Sequence, residues 1–498
     1  MTKLNKKLIF YIIGMLLVFN GGAMIISSFV SILFDDGVFK EVAFSAIFLI
    51  TIGWLIMTFS KNNIRQINKR DGYIIVTIGW LTMVFSGMLP YYLTGSINSF
   101  SNLFFETMSG YTTTGSTILN DVEALPKSII FWRSMTHWLG GMGIIVLAIA
   151  ILPLLGIGGM QLFSAEAPGI SSDKIHPRIS DTAKRLWIIY VGLTFTETIL
   201  LKIAGMSFFD AINNSMSNIA SGGFSSRNES IGYWNDIPLI QYIIILFMFL
   251  AGTNFVLIYF GITGKIKKII QDTEFKWYLS LISSFAIMVT ITLYFSVDLS
   301  ATGVDHPQVY GKFESSFRHA LFQVVAIITT TGFVTGDFIS WGPFLTMFFF
   351  GIMFLGGSSG STSGGVKVLR HLILVKNGFL EFKRSLHPNA IFPLRHNNSV
   401  VEKPIIIHVL AFFILYLILF IVGAGVLSLL GLDFVSAIGG AASSIGNVGP
   451  ALGTLGPISN FDSLPELGKY WCSFLMLIGR LELFTVLILF TPFFWRDH

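Results

Sequence analysis

Four short polar runs, each ending in glycine, interrupt apolar stretches of this 498-residue chain. The runs are Thr112-Thr113-Thr114-Gly115, Ala220-Ser221-Gly222-Gly223, Thr329-Thr330-Thr331-Gly332 and Gly446-Asn447-Val448-Gly449. The intervals between their last glycines are 108, 109 and 117 residues, so one element occurs four times. Threonine offers a carbonyl and a hydroxyl oxygen, both hard ligands suited to an alkali cation. Four such runs around one axis would form a cation selectivity filter, because glycine lets the backbone turn its carbonyl oxygens inward.

Carboxylates are absent from all four runs but stand before each of them. A pore for divalent cations typically carries rings of Asp or Glu, so the runs argue against such a pore. The preceding carboxylates are Glu106, Asp210, Glu314 and Asp433. We expect them to cap short helices or to pair locally; the alternative is that they draw cations toward the mouth of the pore.

The composition is that of a membrane protein that crosses the bilayer several times. Hydrophobic residues make up 53% of the chain and charged residues 12%, against about 25% charged residues in soluble domains. Several apolar runs exceed the roughly 20 residues needed to span a bilayer. We predict an all-α fold with two leading transmembrane helices, near 8–33 and 42–60, in residues 1–65, and four pseudo-symmetric units after them.

Each predicted unit places a polar run between two long helices. A long apolar helix leads to a short helix, then the run, then a second long helix. The predicted units are 66–165, 166–268, 269–385 and 386–498. The long helices lie near 72–93 and 128–156, 183–204 and 236–262, 275–297 and 342–372, and 404–430 and 468–494. The short helices lie near 98–111, 208–219, 314–328 and 433–445.

The short helices decide between a pore and ordinary packing. They are too short to span the bilayer. Non-helical backbone at that depth is tolerated only where it is buried in protein or lines a watery cavity. Glycine kinks in packed helices would explain one such site, but four at matched positions favour a helix–pore-loop–helix arrangement around one ion pore.

A second glycine-rich stretch, Gly356–Lys367, interrupts the second long helix of unit three. It lacks the Gly-Lys-Ser/Thr ending of a phosphate-binding loop. An unwound loop here would obstruct the pore below the filter, and we expect residues 356–366 to form a gate; the alternative is a flexible kink that permits tight packing. The glycines concerned are Gly356, Gly357, Gly360, Gly364 and Gly365.

Arg480 is a charge within an apolar segment, Leu475–Phe490. Charges at such positions are expensive and usually face a cavity or a partner. Facing a cation path, Arg480 would form an electrostatic barrier. A direct pair with Glu482 is not expected, because residues two apart point in different directions on a helix.

Other polar residues in apolar segments are interpreted as structural. We expect Glu197 to pair with Lys202 about one helical turn away, His137 to be a packing residue and Cys472 to be inert. Among the histidines and acids no metal-ligand cluster or catalytic arrangement can be identified, so the chain is not expected to be an enzyme or to hold an organic cofactor.

Positive charge indicates the orientation in the membrane. The N-terminus, 61–70, 174–185, 265–276, 367–403 and the C-terminus hold 23 of the 32 Lys and Arg. Excess positive charge marks the cytoplasmic side, so both termini are predicted to be cytoplasmic and the filter runs to face outside. The net charge of +5 is therefore not interpreted as a nucleic-acid footprint. The basic segment 376–403 is suited to anionic lipid headgroups or to a cytosolic protein.

These features resemble the Trk/Ktr/HKT superfamily of potassium transporters, most closely its TrkH branch. The resemblance covers nearly the whole chain and includes the two leading helices. It rests on the four runs, Arg480, and the segments His137–Gly143, Leu152–Gln161, Lys174–Lys184 and Gly356–Lys367. The second run lacks the triple threonine, and Ala451 stands where the family has glycine.

The resemblance implies a function and partners. It implies potassium uptake across a prokaryotic plasma membrane by a homodimer with one pore in each protomer, and a cytosolic nucleotide-binding regulator of the TrkA type. Relatives that favour sodium can carry serine at the first filter glycine, so Gly115 favours potassium. The filter residues would be Thr113, Thr114, Gly115, Ser221, Gly222, Gly223, Thr330, Thr331, Gly332, Asn447, Val448 and Gly449. A sodium- or proton-coupled potassium symporter is the alternative.

Overall fold

The computed structural model describes residues 4–60, 69–146, 179–297, 306–397 and 399–495. These residues are predominantly helical. Two two-residue strands, β1 (Arg395–His396) and β2 (Ser399–Val400), pair antiparallel in a small hairpin. The predicted all-α architecture is confirmed. The segments Leu152–Gln161 and 174–178, and the end of the helix predicted at 128–156, lie outside the described residues.

The two leading helices form a closely packed hairpin. Helix α1 (Lys6–Phe34) and helix α2 (Phe39–Ser60) match the predicted segments. A Cβ on Gly14 or on Gly53 would lie under 3.0 Å from the backbone oxygen of the other. The absence of side chains at this crossing lets the backbones approach. Helix α1 also packs against unit one.

Units one and two each contain a short helix between longer ones. Unit one consists of α3 (Lys69–Gly87), α4 (Leu89–Leu93), α5 (Phe100–Tyr111) and α6 (Lys127–Val146). Unit two consists of α7 (Ile179–Ile203), α8 (Phe208–Ile219), α9 (Pro238–Ala251), α10 (Phe255–Ile262) and α11 (Ile266–Gln271). The short helices α5 and α8 are called pore helices below.

Units three and four repeat this order. Unit three consists of α12 (Thr273–Ser296), the pore helix α13 (Lys312–Ile328), α14 (Pro343–Ile352) and α15 (Val368–Leu386). Unit four consists of α16 (Lys403–Leu429), the pore helix α17 (Phe434–Gly446), α18 (Glu466–Arg480), α19 (Phe484–Leu487) and α20 (Pro492–Trp495). Helix α15 continues to Leu386, so the first part of the basic segment 376–403 is helical.

Among the described residues, the second long helix is broken in units two, three and four. The prediction of continuous helices at 236–262 and 468–494 is wrong, because each bends by about a right angle, 109° between α9 and α10 and 110° after α18. In unit three the predicted break is present, and helix is lost between Ile352 and Val368. Breaks at membrane depth expose backbone groups that other parts of the protein must satisfy.

The outside of the molecule is apolar. Among the described residues, six helices are long and apolar enough to cross a membrane, or up to eight if each bent pair is one span. Large apolar side chains lie exposed on their surfaces, including Phe59 (83%), Phe295 (77%) and Leu429 (88%). Glu106, Arg133 and Arg318 are buried. This distribution suits a lipid environment, in which apolar groups face outward and charges inward.

Three of the pore helices pack against the unit that precedes them, in cyclic order. Pore helix α5 packs against α18 of unit four, α8 against α6 of unit one, and α13 against α9 of unit two. Each of these contacts joins a pore helix to the second long helix of the preceding unit. The repeats observed in the sequence therefore surround one axis, and their polar runs converge there.

Candidate functional site

The four polar runs adopt the same backbone conformation. Two residues before each final glycine stands a residue in the left-handed region, with φ of 50°, 56°, 53° and 52° at Thr113, Ser221, Thr330 and Asn447. The glycines that follow also have positive φ, 84°, 81°, 73° and 105° at Gly115, Gly223, Gly332 and Gly449. Non-glycine residues seldom adopt this conformation. Its fourfold recurrence indicates that the four runs are equivalent parts of one structure.

The four glycines form a closed ring. Gly115 packs against the carbonyl oxygen of Gly222, and Gly223 packs against that of Thr331. Gly332 meets the carbonyl of Val448, and Gly449 meets that of Thr114. A Cβ on any of the four would lie under 3.0 Å from that oxygen. Glycine is therefore required at these four positions for two reasons: the backbone has a positive φ, and the next run approaches too closely for a Cβ.

The ring is supported by the ends of the pore helices. Each pore helix ends at or just before a run, at Tyr111, Ile219, Ile328 and Gly446. The C-terminal end of a helix carries partial negative charge from its unpaired carbonyls. Four such ends converge around one axis, which favours a cation there without placing a carboxylate in its path.

Hydroxyl pairs brace the first and third runs. In run one Thr112 Oγ1 lies 2.8 Å from Thr114 Oγ1, and in run three Thr329 Oγ1 lies 2.8 Å from Thr331 Oγ1. In run four Asn447 Nδ2 donates to Thr114 Oγ1 at 3.0 Å. The side chains of the runs thus hold their own geometry and leave backbone oxygens for the axis.

Aromatic and charged side chains pack next to the second run. His137 stacks on Phe224 with ring centroids 3.9 Å apart, and the Arg133 guanidinium lies 3.4 Å from the Phe224 ring centroid. Arg133 pairs with Glu106 at 2.7 Å. His137 also bonds to Ser217 of α8 at 2.9 Å. The interpretation of His137 as a packing residue agrees with these contacts.

A cavity of about 190 Å³ opens on the face of the ring formed by residues that follow the glycines. Its lining includes all four glycines, with Asn120, Asn228 and Asn460 farther out. Among the described residues this lining contains no Asp or Glu, and the positive charges of its two arginines, Arg133 and Arg227, are paired with acids outside it. Nearby, a hydrogen bond from Asn228 holds the pKa of Asp121 below its ordinary value. The cavity is suited to a hydrated cation approaching the ring.

The glycine-rich loop lies against the opposite face, formed by residues that precede the glycines. The Gly364 amide donates to Thr330 Oγ1 at 2.6 Å, and the Thr362 hydroxyl lies 2.9 Å from Ser221 Oγ. A Cβ on Gly364 would contact Asn447. The loop therefore touches three of the four runs.

The loop fills the break between α9 and α10. Ser358 donates its amide hydrogen to Gly252 O at 2.8 Å, and Phe255 donates to Gly360 O at 3.2 Å. The Ser359 amide donates to the Glu274 carboxylate at 2.6 Å. The broken helix and the unwound loop thus satisfy each other's backbone groups.

Arg480 is the last residue of α18 and contacts the loop directly. It is 3% exposed, and its Nη1 donates to Thr362 O at 2.8 Å. The helix predicted near 468–494 ends at this residue, because Glu482 and Leu483, which follow Leu481, have φ of 63° and 43°. This left-handed backbone ends the helix and lets Arg480 reach the loop.

The acidic residues singled out in the sequence have local partners. Glu482 pairs with Arg370 rather than with Arg480. Asp433 and Asp210 accept hydrogen bonds at the starts of their pore helices, and Glu314 pairs with Arg318 at 2.9 Å. With the Arg133 pair of Glu106, capping and local pairing are the observed roles of all four carboxylates that precede the runs.

The expected pair of Glu197 with Lys202 is wrong. Glu197 is fully buried and accepts a hydrogen bond from Asn218 of pore helix α8 at 2.5 Å. Lys202 is exposed, because residues five apart lie on different faces of a helix. Cys472 is buried, as expected.

Sequence reasoning missed the contacts that fix the loop. Glu274 and Thr362 carry no distinctive signal, since one acid at a helix start and one threonine in a polar stretch are common. The break at Gly252-Thr253-Asn254 had a weak signal, a short polar run within an apolar segment.

Comparison with known proteins gives consistent matches over nearly the full length. The family model of the cation transport protein TrkH matches residues 38–496. The Trk system potassium uptake protein TrkH of Escherichia coli K12 is 38% identical over 98% of both chains. The protein of the same name from Halomonas elongata is 36% identical over 99% of this chain and 100% of its own. The crystal structure of the potassium transporter TrkH from Vibrio parahaemolyticus superposes with a TM-score of 0.88 at 35% identity, covering 98% of this chain and 99% of that one.

Proposed function

This chain belongs to the TrkH family of cation transport proteins, and we propose that it takes up potassium ions through the ring of four glycines. The observation that carries the proposal is the closed ring, in which each glycine packs against a carbonyl of the next run. Relatives that match its full length are named potassium uptake proteins.

Selection of potassium would rest on the oxygens of the four runs. Carbonyls of Thr114, Gly222, Thr331 and Val448 would replace the water shell of the ion. The threonine hydroxyls and the pore-helix ends add uncharged or partly negative groups. Uncharged oxygens bind weakly enough to let the ion leave, which conduction requires.

The glycine-rich loop and Arg480 would close the path beyond the ring. The loop contacts three runs, and Arg480 adds a buried positive charge hydrogen-bonded to Thr362 O. A guanidinium beside a cation path raises the energy of an ion passing it. Withdrawal of the loop together with Arg480 would open the pore.

The membrane, orientation and partners of the protein are proposed on the same basis. We propose that it lies in a prokaryotic plasma membrane with both termini in the cytoplasm and the 190 Å³ cavity facing outward. A homodimer and a cytosolic nucleotide-binding regulator of the TrkA type are proposed from the resemblance; the relatives are named as parts of a Trk system. The domain boundaries 66–165, 166–268, 269–385 and 386–498 remain predictions.

Ion flux through the purified protein in liposomes tests the proposal. Potassium, rubidium, sodium and lithium are compared under imposed gradients, with empty liposomes as the control. We expect passive flux of potassium and rubidium well above that of sodium and lithium. Potassium flux that requires a sodium or proton gradient would replace this proposal with the symporter, and equal flux of all four ions would contradict the filter.

A further inference from the structure

Thr362 lies at the point where the glycine-rich loop meets the rest of the site. It is fully buried. Its Oγ1 lies 2.9 Å from Ser221 Oγ, 2.9 Å from Ile219 O and 3.2 Å from Ala251 O. Ser221 belongs to the second run, Ile219 ends pore helix α8, and Ala251 ends α9. One hydroxyl therefore joins the loop to three functional elements of unit two.

The number of protons fixes the direction of these hydrogen bonds. A threonine hydroxyl has one proton to donate and lone pairs that accept. The carbonyls of Ile219 and Ala251 only accept, so they share the Thr362 proton in a three-centre bond. Ser221 must then donate to Thr362. In this arrangement the Ser221 oxygen accepts no hydrogen bond from the Thr362 hydroxyl.

The backbone of Thr362 adds two further links. Its carbonyl accepts from Arg480 Nη1 at 2.8 Å, and its amide donates to Ala251 O at 3.3 Å. Other loop residues bond to one neighbouring element each, such as Ser359 to Glu274 and Gly364 to Thr330. Thr362 is thus the place where the second run, the broken helix and Arg480 are tied together.

We propose that the Thr362 hydroxyl is the positioning group that holds the loop in its closed place against the second run. The proposal rests on the assignment of the loop as the gate. Without the hydroxyl, Ile219 O and the Ser221 hydroxyl would be buried without this partner whenever the loop is closed. With the loop withdrawn, water reaches both groups and that penalty disappears. Loss of the hydroxyl therefore favours the open state.

The proposal also gives the unusual second run a role. Runs one and three each carry a threonine pair that is braced internally, whereas run two has Ala220 and Gly222 in the corresponding places and keeps one hydroxyl, that of Ser221. The partner that Ser221 lacks within its own run is supplied by the loop. The loop is thus held to run two through a pair of hydroxyls, and to run three through the Gly364 amide.

The test compares potassium flux through four variants of the full chain in liposomes. Thr362→Val keeps the shape of the side chain and removes the hydroxyl, and we expect flux to rise about tenfold, the effect of unpairing buried polar groups. Thr362→Ser keeps the hydroxyl and is expected to stay near wild type, which a mere loss of packing would not predict. Thr290→Val is the matched control, because the Thr290 hydroxyl is also buried but bonds to Ala286 O within its own helix, outside the loop. Arg480→Ala shows whether the loop is a gate.

The outcomes separate this inference from the gate itself. Raised flux in Thr362→Val and Arg480→Ala, with Thr290→Val and Thr362→Ser unchanged, supports the proposal. Raised flux in Arg480→Ala alone overturns the role of Thr362 and leaves the gate. Unchanged flux in both overturns the gate, and the role of Thr362 with it. If Thr362→Val yields no folded protein, Ser221→Ala removes the same hydrogen bond from the other side; raised flux then supports the proposal and unchanged flux overturns it.

Discussion

The ring and the loop both contain several glycines, but glycine meets different requirements in the two places. In the ring all four glycines have positive φ and touch the backbone of the next run. In the loop only Gly360 and Gly365 have positive φ, and no other loop of the described chain repeats its contacts. The ring takes its shape from one local conformation made four times, whereas the loop takes its position from separate hydrogen bonds to different helices. We therefore expect the ring to keep its shape and the loop to be the part that moves.

Substitution in the ring should have the largest effect on selectivity. Gly115→Ser adds a Cβ at φ 84° and against Gly222 O. Left-handed backbone alone costs about 1–2 kcal/mol for a residue with a Cβ, and the contact displaces a filter carbonyl. We expect the potassium-to-sodium flux ratio to fall about tenfold or more. Gly95→Ser is the matched control, because Gly95 has φ 67° and open space around it. Equal ratios in the two variants would remove run one from the filter.

Removal of the buried arginine should have the largest effect on flux. Arg480→Ala deletes a charge-assisted hydrogen bond to the loop, worth about 1.5–3 kcal/mol, and the positive charge beside the path. We expect potassium flux to rise at least about tenfold. Arg384→Ala, which removes an exposed arginine that pairs with Glu381 on α15, should leave flux unchanged. A folded Arg480→Ala protein with wild-type flux would show that the loop closes without this residue.

Weakening the hydrogen bond between the Ser359 amide and Glu274 should have a smaller effect on flux. Glu274→Gln replaces the carboxylate that accepts from Ser359 N with a neutral amide oxygen. Hydrogen bonds to charged groups are roughly twice as strong as neutral ones, so we expect flux to rise about threefold with the ion ratio unchanged. Glu381→Gln, at an exposed position, serves as the control. A change in the ion ratio would mean that Glu274 acts on the ring and not on the loop.

The sequence indicated the ring more completely than the loop's contacts, for a physical reason. The conformation of the ring depends on residues that are close in sequence, because Thr-Thr-Thr-Gly and its variants determine the backbone conformation of the run that follows each pore helix. The bends at Gly252 and after Arg480 were missed because the apolar pattern runs through both. Whether a helix breaks there depends on a loop about 110 residues away in one case and on left-handed backbone at Glu482 in the other.

Hydrogen-bond partners that are backbone atoms also could not be predicted from the sequence. Arg480 was identified as a charge in an apolar segment, but its acceptor is the carbonyl of Thr362, 118 positions away. Every residue has such a carbonyl, so no residue type marks it. Glu482 was expected to avoid Arg480, and its actual partner Arg370 is 112 positions away. These contacts form only when the units pack around the axis, which brings residues that are distant in sequence together.

The most direct test of the separation between ring and loop measures two quantities in the same liposome preparations, for wild type, Gly115→Ser and Arg480→Ala. The quantities are the potassium flux and the potassium-to-sodium flux ratio. We predict that Gly115→Ser lowers the ratio without raising potassium flux, and that Arg480→Ala raises potassium flux and leaves the ratio close to wild type. A rise of potassium flux in Gly115→Ser, or a fall of the ratio in Arg480→Ala, would contradict the account, because the ring and the loop would then act as one element.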